Sequence, residues 1–147
     1  MDAAANRKKA VTREWWEKER GFFKVYASRA VEGELAMGKY PGKERALAEV
    51  RRLSYLQGAA EVRDIAERLL EELVVPKTVP GDALQLAFAL VYRVDYLLSW
   101  NRAHLLGEIT QGRLAKFRAA FGLRPPLLVS PESIPKAALG EEIHRRD

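Results

Sequence analysis

The sequence contains no cysteine, which excludes disulfides and thiolate metal sites. Its two histidines, His104 and His144, stand in no H-E-x-x-H spacing, and there is neither a glycine-rich phosphate loop nor a recognisable nucleophile motif. Zinc-peptidase, P-loop and serine-hydrolase chemistries therefore have nothing to act through. No run approaches the ~18 unbroken apolar residues of a membrane helix. The first residues, with Asn6-Arg7-Lys8-Lys9, lack the apolar stretch of a signal peptide. The expectation is a cytoplasmic protein with no membrane segment. Internal repeats, low-complexity tracts and long linkers are also missing, so residues 1–147 are expected to form one domain large enough for a real core.

What is present is ordinary for a globular chain: 48% hydrophobic against 31% charged residues, too apolar for disorder. The net charge of +5 permits a polyanionic partner, but such modest basicity is common in proteins that never bind nucleic acid.

The chain is organised around Pro80 to Asn101. Pro80-Gly81 breaks what precedes, and from Ala83 to Tyr92 every side chain but Gln85 is apolar or aromatic. A helix apolar on all sides is a buried one. Asp82, placed just ahead of it, and Gln85 three residues on match a capping box. Arg93-Val94-Asp95 makes a short connection, and Tyr96-Leu97-Leu98-Ser99 reads as a fully buried strand ending at Trp100-Asn101.

Taken in order, residues 1–20 form an amphipathic helix, with Val11, Trp15 and Phe22 spaced to share a face and Gly21 as its stop. Trp15 and Trp16 cannot both centre that face, so they either pack together on one domain or leave one for a helix edge or another subunit. Phe22 to Ala27 is rich in strand formers, and Ser28 offers an N-cap for a helix from Arg29 to Ala36. Helical spacing recurs from Glu44 to Leu53 and from Ala59 to Leu73, with a short strand at Ser54-Tyr55-Leu56 between them. Gly112 to Phe121 is a further helix stopped at Gly122. Leu127-Leu128-Val129 is a strand, Ser130-Pro131-Glu132 starts a turn, and residues 136–147 form a loose charged tail. Alternating strands and helices predict an α/β fold, a three-layer α/β/α sandwich on a parallel sheet.

Open parallel sheets gather functional groups beyond the carboxyl ends of their strands. Glu34, Asp82 and Asn101 follow strands or turns in the way that brings groups to one such edge. Asp95 precedes its strand and reads as a turn acid facing the opposite edge.

The run Gly81-Asp82-Ala83-Leu84-Gln85-Leu86-Ala87, followed by Val94-Asp95-Tyr96-Leu97-Leu98-Ser99-Trp100-Asn101 and His104-Leu105, resembles the D-A-L-H-x-A, V-D-Y-L-L-T-W-N and H-L signature of PIN-domain proteins. The resemblance is specifically to the VapC-like toxins of prokaryotic toxin–antitoxin systems. A weaker likeness extends from about Thr12 to Ile134. The resemblance implies a metal-dependent endoribonuclease whose acidic cluster holds Mg²⁺ or Mn²⁺, which activates water and steadies the phosphate during RNA cleavage. It implies Glu34 (with Ser28, Val31 and Leu35 in the pattern S-x-x-V-x-x-E-L) and Asp82 as metal ligands and catalytic residues, and Asn101 as the fourth position. A cognate antitoxin and a homodimer are the implied partners beside the RNA. The family normally opens with a strand carrying Asp-Thr-Ser or Glu-Thr-Ser. No apolar run precedes Asp2 here, so the expected sheet lacks that first strand and its acid. Gln85 replaces a frequent histidine.

Without the resemblance, Asp82 serves as a helix cap, Glu34 as a solvated helix residue, and His104 as a structural group or one at the rim of a site. A second function class therefore stands beside the enzyme: a degenerate PIN-like module binding RNA or a protein. Arg7, Lys8, Lys9, Arg13 and an exposed Trp16 would then make the contacts, and the affinity for RNA would fall with salt.

Overall fold

The computed structural model describes residues 3–76, 80–99, 108–122 and 126–134. Helices dominate, and the strands are short and parallel. In chain order the elements are α1 (Ala3–Glu14), β1 (Tyr26–Ala27), α2 (Arg29–Ala36), α3 (Lys43–Arg51), β2 (Ser54–Tyr55), α4 (Ala60–Glu71), α5 (Pro80–Val91), β3 (Tyr96–Leu98), α6 (Glu108–Phe121) and β4 (Leu127–Val129). The expected tail from Lys136 lies outside the described residues, as do Trp100, Asn101 and His104.

The first helix departs most from its expected form. Its helical run ends beside Gly21 as expected, but the last turns are not α-helical: a π-helical turn covers Trp15–Glu19 and a 3₁₀ turn Arg20–Phe22. The wider π turn shifts the helical phase, so Trp15 is buried while Phe22, expected on the same face, is 45% exposed. Trp16 is half-buried. Its Nε1 donates to Glu49 on α3 at 3.4 Å, and the Arg20 guanidinium lies 4.1 Å above its ring. The reading of two tryptophans packed within one chain is therefore the one realised, and Trp16 is not the free surface aromatic that the binding-module reading assumed. Arg7 of the same basic segment pairs with Glu132.

Only Tyr26–Ala27 of the Phe22–Ala27 run becomes strand. Ser28 then caps α2, its Oγ accepting from the Val31 amide at 3.3 Å. Removing such a cap typically costs ~1 kcal/mol, so Ser28→Ala should lower the denaturant midpoint by that equivalent. Unchanged stability would show that the helix start is fixed by other contacts.

The end of α5 explains how helix turns to strand within four residues. Arg93 takes the left-handed conformation (φ 55°), with Arg93 N–H bonded to Leu90 O at 3.2 Å and Val94 N–H to Ala89 O at 3.1 Å. This is a Schellman closure. Leu73 closes α4 in the same way, at φ 55°.

The strands form two separate parallel pairs. In one, Tyr26 lies opposite Ser54 and Ala27 opposite Tyr55, extended by Leu56 N–H to Ala27 O at 2.8 Å. In the other, Tyr96, Leu97 and Leu98 lie opposite Leu127, Leu128 and Val129, extended by Ser99 N–H to Val129 O at 2.8 Å. Each strand has one partner among the described residues, and β3 is half-buried along its length rather than fully buried as expected.

Side chains alternate across the second pair. Leu97 and Leu128 enter the main core, built from Val62, Ala66 and Leu69 of α4, Ala83, Leu86, Ala87 and Leu90 of α5, and Leu114 and Phe117 of α6. Tyr96, Leu98 and Val129 face a smaller cluster around Trp15, Phe23 and Ile134. Phe23 bridges that cluster, its ring centroid 5.9 Å from that of Trp15 and 6.1 Å, edge-on, from that of Tyr96. No described helix is long and apolar enough to cross a membrane.

Candidate functional site

The site is assembled where the carboxyl half of α2 meets the amino end of α5. α5 starts at Pro80 and not at Ala83. Proline suits the first helical position because its missing N–H would be unpaired there in any case. Asp82 is thus the third residue of the helix instead of its cap. Gln85 donates from Nε2 to Glu34 Oε2 at 2.6 Å.

Asp82 is buried, 5% exposed. A carboxylate in the first turn interacts favourably with the helix dipole, so a buried acid is tolerated at this position. Glu34 belongs to the exposed side of α2 but leans onto the same helix end. Its Oε1 lies 3.9 Å from where a β-carbon on Gly81 would stand, beside the residue next to Asp82.

Two of the three sequence-predicted residues, Glu34 and Asp82, are therefore brought to one helix end across 48 positions of sequence. The third, Asn101, lies outside the described residues. Asp95 stands ahead of β3, its carbonyl accepting from Leu127 N–H at 2.9 Å, at the end of the strand away from Ser99.

Gln85 is the residue that sequence reasoning undervalued, seen only as a capping partner and as the replacement of a histidine. Its signal was available. It is the one polar side chain in the apolar run from Ala83 to Tyr92, and a buried amide requires a partner.

Another acid nearby is occupied. Glu32 accepts from Arg51 Nε at 2.9 Å, and this bond holds its carboxyl below the usual glutamate range. Beside it, burial and then the Glu32 charge hold the Tyr55 phenol above its ordinary value. Glu32 thus braces α2 against α3, leaving Glu34 as the acid of α2 that faces α5.

Hard oxygen donors such as Glu34 and Asp82 suit Mg²⁺ or Mn²⁺. Among the described residues no group of three or more His, Asp or Glu side chains converges on a point that a metal could occupy. A dedicated protein cage, or a pair of ions, does not fit this donor set. One Mg²⁺ held through one or two carboxylates, with water completing its octahedron, does fit.

No family model matches the chain, and neither a curated protein nor a solved structure matches it.

Proposed function

We propose that the chain is a PIN-like endoribonuclease of the VapC toxin type, cleaving RNA phosphodiester bonds at the junction of α2 and α5. The observation that carries this reading is the meeting of Glu34 with the first turns of α5, through the 2.6 Å bond to Gln85, beside buried Asp82. Those are the two acids that the sequence resemblance picks out. Glu34 and Asp82 would hold one Mg²⁺ or Mn²⁺, which when bound supplies a lowered water pKa and charge neutralisation at phosphate. Gln85 fixes the Glu34 carboxylate, and the positive end of α5 favours the negative charge gathered there. Asn101 is assigned a polar contact to bound water or phosphate. On the same reading the two strand pairs are parts of one sheet in a three-layer sandwich lacking its first strand. The chain would also dimerise and be restrained by a cognate antitoxin.

A second reading has its own support. The absence of a third acid among the described residues suits a catalytically impaired PIN-like module that binds RNA or a protein.

Calorimetry with Mg²⁺ or Mn²⁺ separates the two. On the enzyme reading the chain binds a divalent ion and Asp82→Ala removes the binding. A well-folded chain that binds neither ion would sink the enzyme and leave the module.

A further inference from the structure

Between the amino end of α2, the amino end of α4 and the middle of α5 lies an open cavity of about 560 Å³, within the usual size of a small-ligand site. Val62, Leu84 and Phe88 give it an apolar floor, and Arg29 and Arg63 stand at its wall. Among the described residues no carboxylate lines it. Arg29 and Arg63 are exposed, and neither forms an ion pair with a described carboxylate. Glu32, an acid of the same helix, is bonded by Arg51 and feels the Arg29 charge only as a lesser influence. Tyr92, just past the end of α5, braces one side of the cavity. Tyr92 Oη donates to Gln57 O at 2.5 Å, pinning the loop ahead of α4 to α5, and the Tyr92 ring stacks on that of Phe88 at 6.5 Å.

We infer that this cavity is a nucleotide-binding site for single-stranded RNA, with the Arg29 and Arg63 guanidiniums on a backbone phosphate and the apolar floor under the adjoining sugar or base. Guanidinium pairs are suited to phosphate because they offer several donors in a planar fork. A lone inorganic anion would leave the apolar floor and most of the volume unfilled. The location favours a strand running on to the acids. Ala30, at the cavity, and Glu34 are four residues apart on α2, and Leu84, at the cavity, follows Gly81 by three on α5. Such spacings share a helix face. Along α2 and α5 the cavity residues therefore lie about one helical turn, a rise of ~5.4 Å, from Glu34 and Gly81, within reach of a neighbouring phosphate in the same strand. That the ligand is a substrate rests on the ribonuclease reading; that it is RNA-bound phosphate is tested without it.

The test is fluorescence anisotropy of a labelled single-stranded oligouridylate on the full chain in EDTA, which removes metal and keeps the RNA intact. Arg29→Ala/Arg63→Ala should weaken binding about tenfold or more. It should also flatten the dependence of log K on log salt by about 1.4, at ~0.7 per lost contact to a single strand. Arg45→Ala/Lys116→Ala removes the same charge from exposed positions of α3 and α6 and should leave affinity within about twofold. Equal losses in the two double variants, or no binding by the parent chain, would overturn the site. Circular dichroism verifies folding, since all four positions are exposed. Cleavage is measured separately in Mg²⁺. Arginine-dependent binding without cleavage would keep this site and remove the nuclease; cleavage with arginine-independent binding would do the reverse.

Discussion

Asp82→Asn should abolish metal-dependent RNA cleavage while leaving the chain folded. The substitution keeps the size and polarity of a side chain that is 5% exposed but removes one of the two carboxylates assigned to the metal. A bound cation contributes several kcal/mol to neutralising charge at a transferring phosphoryl group. Its loss therefore lowers the rate by about a thousandfold. The cost in stability is smaller, because the loss of one favourable charge in a first helical turn is worth ~0.3–1 kcal/mol. Initial rates of RNA cleavage in Mg²⁺, with denaturant titration of the same samples, check both parts. Undiminished cleavage would remove Asp82, and with it the proposed site. An unfolded variant would mean that Asp82 acts chiefly as a structural partner in α5, and Glu34→Gln at the exposed side of the site would then decide the catalytic question.

Leu86→Ala should have the largest effect on stability. Leu86 is fully buried on α5, in the core shared with α4 and α6. Truncating such a leucine costs ~2–5 kcal/mol through lost transfer energy and the cavity left behind. Against a total of ~5–15 kcal/mol for a typical domain, that is a large share. With a urea slope of ~1–3 kcal/mol per molar, the midpoint should drop by about 1–2 M with little change in slope. Leu86→Met, which nearly conserves volume, should cost under ~1.5 kcal/mol. A loss below ~1 kcal/mol for the alanine would show that α5 is not the centre of the core. The contrast with Asp82→Asn is informative because both residues lie on one helix. One variant should remove activity without stability, and the other stability before activity.

The sequence by itself determined the local elements. Ser28 as the cap of α2, the apolar stripe of α4, the all-round apolar α5 and the strand at Leu127–Val129 all appear where periodicity and capping chemistry place them. Such features depend on neighbours within a few residues, and so are written in the chain. Gly122 likewise ends α6 at φ 64°, a conformation that glycine adopts without strain.

Tertiary structure decided the rest. The π turn at Trp15–Glu19 cannot be read from spacing, because it arises where Trp15 must reach Val129 and Ile134 while Trp16 meets Glu49 and Arg20. The start of α5 at Pro80, rather than after Asp82, turned a presumed cap into a first-turn acid. The pairing of Gln85 with Glu34 joins side chains 51 positions apart, a distance over which no local propensity acts. The sequence marked Glu34 and Asp82 as residues of interest, but only the packing of α2 on α5 brought Glu34 to the helix end that carries Asp82. Local patterns fix which backbone conformations are cheap; which polar groups share a buried neighbourhood is fixed by burial of the whole apolar surface at once.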